Sequence, residues 1–399
     1  MAADRVSEIF RRYRTERENI EITLDDMRND LREYMHSIVL YGAGSAGIAF
    51  LNYFRDVGIE PVCFSDGDSE KWGNTCEALE IIPPAEIVDR VGDHALVIVT
   101  INTDGKSYCK DFKKELLAGG HQGVHKRLRE CGCKHIIDYT YFRRCYSLFQ
   151  GGRYNLPACT DVYLMTENQD KIGKAYDMMH DDESREVFLK ILEFRLITDE
   201  VEIPVYPEKG MYFEYDLFPR LKDEVFVDCG ACGGSSLKEF LQYNGHRFKK
   251  YYGIEPDPIN YGRLEQYIAE LTEDERGRIH ISNTAVYSHT EGEAFYVLGG
   301  PGTFQAETGS QTVPTETIDH ILNKERATYI KMNIEGSEVP ALRGAERAIR
   351  ECRPRLGIMG YHKTSDFWEV PLLMREYVQD YHISLRSYMK NVAFTYYAF

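Results

Sequence analysis

The run Val225-Phe226-Val227-Asp228-Cys229-Gly230-Ala231-Cys232-Gly233-Gly234 constrains the fold of this chain more than any other stretch. Three apolar residues make a short buried-strand signal, which stops at an acid and enters a loop of small residues whose backbone can approach another molecule closely. Leu237, Phe240 and Leu241 then recur at helical spacing, so Ser235 or Ser236 is expected to cap a helix whose first amides face a ligand crevice. A second strand ends at Gly253-Ile254-Glu255-Pro256, with Glu255 placed 21 residues after Gly234. At that distance a doubly wound sheet sets the end of its second strand beside the first, and the carboxylate can accept both hydroxyls of a ribose. The glycines do not follow the spacing of a pyrophosphate-binding loop, and Asp228 at the head of the loop suits a cationic ligand better than a pyrophosphate.

The same grammar occurs earlier in the chain. Ser37-Ile38-Val39-Leu40-Tyr41 leads into Gly42-Ala43-Gly44-Ser45-Ala46-Gly47, a full GxGxxG, and then into a helix through Ile48, Leu51 and Phe54. The strand Pro61 to Ser65 ends at Asp66, 19 residues after Gly47, a spacing that fits ribose recognition. Ala95 to Ile101 is a continuous β-branched run of the kind buried in parallel sheets. The expected fold class is therefore α/β with two doubly wound Rossmann-like domains, at 37–140 and 205–399. Residues 1–36, with Ile9, Phe10, Tyr13, Ile20, Ile22 and Leu24 among dense charge, read as amphipathic helices that pack on a neighbour or form a homodimer. Residues 141–204 read as connecting helices.

Composition narrows the partners. A net charge of −16 leaves no phosphate-tracking face, so nucleic acid is not expected, and His125-Lys126-Arg127 reads as solvated surface. No apolar stretch approaches the roughly 18 residues of a membrane helix, and residues 1–29 lack a signal-peptide core, so a cytoplasmic protein is expected. Ten cysteines scattered through the chain suit reduced thiols. Cys229 and Cys232 read as small residues of a turn, Cys131 and Cys133 have no second pair at zinc spacing, and no metal site is expected.

From Asp228 onward, several segments occur in the order found in FkbM-type methyltransferases, which residues 205–399 resemble. They are the loop Asp228 to Gly234, Glu255-Pro256, Asn283-Thr284-Ala285, Thr317-Ile318-Asp319, and Ile330-Lys331-Met332-Asn333-Ile334-Glu335-Gly336 with Glu338, Leu342, Gly344 and Ala345 behind it. The resemblance implies a class I methyltransferase fold, S-adenosyl-L-methionine as cofactor and a hydroxyl of a sugar or glycan intermediate as acceptor. Cofactor contacts are implied for Asp228, Gly230, Ala231, Gly233, Gly234, Ser235, Glu255, Pro256, Asn283, Ala285 and Asn333. Met211-Tyr212-Phe213 resembles the family's Tyr-Phe element, and either lines the methionine end of the cofactor or packs the core. Two departures stand out. Asn333 replaces the family's Asp, and an amide is a poor base and a weak metal ligand. Leu385-Arg386-Ser387-Tyr388 lacks the histidine of close relatives.

Methyl transfer from a sulfonium is an in-line displacement, so the protein must align donor and acceptor. A sugar hydroxyl also needs a base or a cationic partner. Strand ends of a doubly wound sheet converge on one crevice, which nominates Lys331, Glu335 and His362, with His362 first as base because it titrates near neutral pH. The competing reading is a Lys331–Glu335 salt bridge that only holds the turn. Pro340, Leu342, Ala345 and Ile349 read as the packing face of a following helix.

The earlier domain resembles the sugar-nucleotide-binding domains at the front of bacterial sugar acetyltransferases and polysaccharide-biosynthesis proteins. That implies a second nucleotide site at Gly42, Gly44, Gly47 and Asp66, with Asp68 the other candidate for the acid that meets the ligand, NAD as the alternative ligand and a docking module as the third reading. No Tyr-x-x-x-Lys pair follows at short-chain dehydrogenase spacing. Two other functions remain open at this stage: a bifunctional NAD-binding enzyme, and a noncatalytic protein that binds S-adenosylmethionine without turnover.

Overall fold

Alternation of apolar runs with amphipathic helices produces two largely parallel sheets in the computed structural model. It describes residues 2–101, 111–118, 122–145, 162–197, 201–207, 210–213, 217, 221–296, 304–305, 311–388 and 393–399. The chain divides into two units, one of residues 7–169 and 192–201, the other of residues 1–6, 170–191 and 202–399.

The first unit carries six strands: β1 (Ile38–Tyr41), β2 (Cys63–Ser65), β3 (Thr75–Cys76), β4 (Leu79–Ile82), β5 (Leu96–Val99) and β6 (His135–Asp138). Their order is β3-β4-β2-β1-β5-β6, and only the β3–β4 pair is antiparallel. Every residue of β1 is buried, because both faces of the sheet are covered. Ile38 and Leu40 join Phe50, Phe54 and Ile98 in one cluster, while Val39 and Tyr41 join Ile87, Val97 and Leu128 in another. A strand buried on both faces needs the unbroken apolar run seen in the sequence. Ahead of it, helices form at Ala2–Ile20 and Leu24–Leu31, the second begun by a capping box between Thr23 and Asp26.

The second unit is built on β7 (Val225–Cys229), β8 (Lys250–Ile254), β9 (Ile279–Ser282), β10 (Ala285–Val286), β11 (Glu293–Tyr296), β12 (Phe304–Gln305), β13 (Gln311–Val313), β14 (Thr315–Glu316), β15 (Tyr329–Met332), β16 (Arg355–Met359), β17 (Ile383–Ser387) and β18 (Phe394–Ala398). The main sheet runs β17-β18-β16-β15-β7-β8-β9, and only the pairs made by β18 are antiparallel. β7 therefore lies between β8 and β15, and the carboxyl ends of these three strands open on the same side. Strands β10 and β14 form a separate pair, and β11, β12 and β13 a small antiparallel sheet.

Two local expectations give way here. The helix Ser235–Asn244 has no side-chain cap: Gly234 stands at its head in the left-handed region, and the Ser236 hydroxyl donates instead to Asp228, a buried carboxylate in need of donors. The helix expected through Leu342, Ala345 and Ile349 is two helices, Glu338–Arg343 and Glu346–Cys352. It breaks where Gly344 passes Tyr287, for a Cβ at 344 would lie 2.1 Å from the Tyr287 carbonyl oxygen. Asp319 secures the break. Its amide donates to the Gly344 carbonyl and its carboxylate accepts from the amides of Arg347 and Ala348.

Candidate active site

At the end of β7 the chain turns left-handed at Gly230, where a Cβ would fall 2.1 Å from the Asn333 carbonyl oxygen, so only glycine lets the loop cross the end of β15. The amides of Gly230 and Ala231 donate to the Ile254 carbonyl, and that of Cys232 donates to Oε2 of Glu255 at 2.8 Å. Oε1 of Glu255 accepts from the amide of Asp257, and the Asn283 amide group donates to the carbonyls of Glu255 and Pro256. The loop after β7 thus hangs on the end of β8. A carboxylate has about four acceptor directions, so two are left at Glu255 for a ligand. Burial pushes the Glu255 carboxyl up, against the lowering effect of its two backbone amides.

Around this corner lies a cleft with about 650 Å³ of space, counting the part open to solvent. Gly230, Glu255, Pro256, Ala285, Asn333 and Glu335 line it, and they come from four separate stretches of the sequence. Cys232, read from the sequence as a small residue of the turn, also lines it, and so do Asn260, Val286, Phe295 and Ser337, which the sequence reading did not single out. Asn260 was legible in principle, since Asp257 caps the helix Pro258–Ala269 and sets residue 260 in its first turn. Phe295 was not, because it arrives on the small sheet and is buried against Ala285 and Val313. Asp228, Ala231, Gly233, Gly234, Ser235 and Asn283 stand outside the lining and shape it from behind.

Two polar atoms of the wall, Oδ1 of Asn333 and Oγ of Ser337, are buried without a hydrogen-bond partner. Proteins seldom leave such atoms unpaired, and a bound ligand that brings donors would complete them. The other end of the Asn333 amide is committed, donating to the Tyr212 hydroxyl at 3.0 Å. Tyr212 sits with its ring 4.8 Å from Nζ of Lys331, so it closes the back of the site rather than the core alone.

Lys331 does not reach the cleft. It is fully buried, and its three protons are matched by three acceptors: Oδ1 of Asp228 at 2.9 Å, the Gly230 carbonyl at 2.7 Å and the Cys229 carbonyl at 3.3 Å. Burial works against its charge, and Asp228 more than restores it. Asp228 in turn accepts from Tyr251 and Ser236 through its other oxygen. The pair that forms is therefore Lys331–Asp228, not Lys331–Glu335. Asp228 is spent on the loop and carries no free charge to a ligand.

His362 is also buried. Its Nδ1 lies 2.8 Å from Oε1 of Glu338, an ion pair without an aligned hydrogen bond, and its Nε2 lies 3.7 Å from Oε1 of Glu335. Burial lowers the basicity of the ring, but Glu338 and Glu335 outweigh it and raise it to about 9. The ring is then an imidazolium at neutral pH, without the lone pair that a general base needs. Beside it, burial and Glu338 push Asp366 up to about 7. Glu338 fixes the turn after β15 by accepting from the amides of Ile334 and Gly336.

In the first unit, Gly42 is left-handed, and a Cβ on Gly47 would meet the Gly42 carbonyl at 1.9 Å, so both glycines are needed for the turn itself. Gly44 precedes the helix Ser45–Asp56. Asp66 accepts from the Ala43 and Asp68 amides and pairs with Lys71 at 3.0 Å. Its carboxylate is engaged in holding the loop.

Residues 228–396 match the family model described as the Methyltransferase FkbM domain. Among solved structures, the methyltransferase FkbM from Methylobacillus flagellatus KT is similar over 99% of this chain and 100% of that one, at 21% identity and a TM-score of 0.65. At that identity the likeness shows the fold. Fibrillarin from Aeropyrum pernix, solved with natively bound S-adenosyl-L-methionine, is 10% identical over 48% of this chain and 73% of that one, with a TM-score of 0.31 too low to argue from. No curated protein matches. The matched domain supports a methyltransferase dependent on S-adenosylmethionine. Among the described residues no helix is long and apolar enough to cross a membrane.

Proposed function

We propose that the second unit binds S-adenosylmethionine in the cleft between β7, β8 and β15 and transfers its methyl to a hydroxyl of a sugar or glycan intermediate. The observation that carries the cofactor is Glu255. It is a buried carboxylate at the end of the second strand, held by two backbone amides, with two acceptor directions left for a ribose diol. The lining supports a cationic ligand, since it includes the carboxylates of Glu255 and Glu335 and, among the described residues, neither lysine nor arginine. The unpaired oxygens of Asn333 and Ser337 are acceptors for the donors such a ligand brings. The bound cofactor supplies an activated methyl on a sulfonium. The chain's part is to hold it, align the acceptor and receive a proton.

The sugar as acceptor is supported by the resemblance to FkbM-type enzymes and by the resemblance of the front unit's GxGxxG segment to sugar-nucleotide-binding domains. A sugar or nucleotide sugar is the proposed partner.

Calorimetric titration of the full chain with S-adenosylmethionine, S-adenosylhomocysteine and NADH tests the cofactor. Binding of both adenosyl ligands with none of NADH is expected, and NADH binding alone would overturn the reading. Methyl transfer from labelled S-adenosylmethionine to a panel of glycosides tests the acceptor, and a product carrying label on nitrogen would replace the hydroxyl.

A further inference from the structure

Glu335 occupies an unusual place. It lies on the cleft wall, three residues after β15 ends at Met332, and its backbone is left-handed at φ +53, followed by Gly336 at φ +93. A side chain in that conformation is strained relative to an ordinary one, and such strain is kept where the surroundings force it. Here Glu338 forces it by gripping the amides on either side, of Ile334 and Gly336, at 2.9 Å each. The same Glu338 faces Nδ1 of His362, whose Nε2 faces Glu335. A buried cation thus stands between a buried carboxylate and one at the cleft. Lys331 is committed to Asp228 and cannot take over.

Building on the methyltransferase reading, we propose that the Glu335 carboxylate faces the transferable methyl and takes the acceptor's proton, with His362 a positioning residue behind it. As the acceptor oxygen forms its bond to the methyl carbon, the carbon–sulfur bond breaks and its electron pair stays on sulfur. The hydroxyl proton passes to Glu335, which is part-exposed and returns it to solvent. The sulfonium becomes a neutral thioether, and charge balances.

The placement is testable without knowing the acceptor. Sinefungin is an analogue of the cofactor in which a carbon bearing an amino group stands where the sulfonium and its methyl were. S-Adenosylhomocysteine has neither that amine nor the methyl. A carboxylate facing the methyl should pair with the amine, so the wild-type chain should bind sinefungin about tenfold more tightly than S-adenosylhomocysteine, the worth of one charge-assisted hydrogen bond. Glu335→Gln should abolish that preference and leave the Kd for S-adenosylhomocysteine unchanged. Glu335→Asp should recover part of it, and His362→Gln should reduce it, again sparing S-adenosylhomocysteine. An undiminished preference in Glu335→Gln, or no preference in the wild type, overturns the proposal. Equal loss of both ligands in Glu335→Gln does so too, because it makes Glu335 a general support of the site. Failure of the wild type to bind either ligand instead overturns the methyltransferase reading beneath it.

Discussion

Glu255 serves the protein and the ligand at once, and substitutions can separate the two. Glu255→Gln keeps an acceptor for one backbone amide but loses the charge, so S-adenosylhomocysteine should bind roughly 10- to 100-fold more weakly by calorimetry, as expected when a charge-assisted bond becomes neutral. Because burial raises its folded-state value above 4.5, the folded chain holds this proton more tightly than the unfolded one. Glu255 therefore subtracts from stability at neutral pH, and that cost fades as pH falls through the raised value, the same window in which ligand affinity should drop. His362 has the opposite significance. Its basicity is raised from 6.5 to about 9, so the stability it contributes is fully present below pH 6.5 and is lost as pH climbs through 9. Urea midpoints of the wild type should fall across that window, and those of His362→Gln should be flatter; a wild-type midpoint constant from pH 6 to 9.5 would refute the charged ring. The sequence identified both residues but not their states. Glu255 is set by local spacing from its glycine loop. The charge on His362 depends on Glu338, 24 positions away, and the commitment of Lys331 depends on a cross-strand neighbour 103 positions away.

Strands and loops were more legible than their joints. Each apolar run that stopped at an acid became a strand with a loop at its carboxyl end, because burial on both faces writes itself directly into composition. The joints rest on contacts between distant segments. Gly344 is one, and Gly344→Ala should destabilise the protein by about 2 kcal/mol or more, since the new Cβ would meet a carbonyl with no flexible side chain to yield. Another is the start of the helix Asp182–Leu196. There Asp181 accepts from Ser184 and Ser384 and pairs with the buried Arg386 of β17. Burial opposes the charge of Asp181, but these hydroxyls, the Ser184 amide and Arg386 bring its carboxyl down to about 2. Where the family resemblance marked only a missing histidine, the chain has a polar clamp on its edge strand. Arg386→Met should cost about 2–3 kcal/mol in chemical unfolding, and Asp181→Ala together with Arg386→Met less than the sum of the two, because neither then leaves a charge stranded. Additive costs would show that the two do not interact.

Each unit has its own hydrophobic clusters, with Phe50, Leu96 and Phe142 in the first and Phe226, Phe240 and Tyr329 in the second. Two cores of this kind need not melt as one, and chains of two units often fail the two-state test. Calorimetric heating should then resolve two transitions, and the cleft proposed for the cofactor lies wholly within the second unit. S-Adenosylhomocysteine at a hundred times its Kd adds about 2.7 kcal/mol to the state that binds it. For a unit near 200 residues that raises one transition by about 5–10 °C and leaves the other in place. A nucleotide sugar or NADH, if either is the ligand of the GxGxxG loop, should move the transition that the adenosyl ligand does not. A single transition that either class of ligand displaces as a whole would refute independence. The net charge of −16 belongs to both units together and does not alter the assignment, because mutual repulsion lowers stability without choosing a ligand. Which transition moves, and with which ligand, therefore assigns each ligand to its own unit.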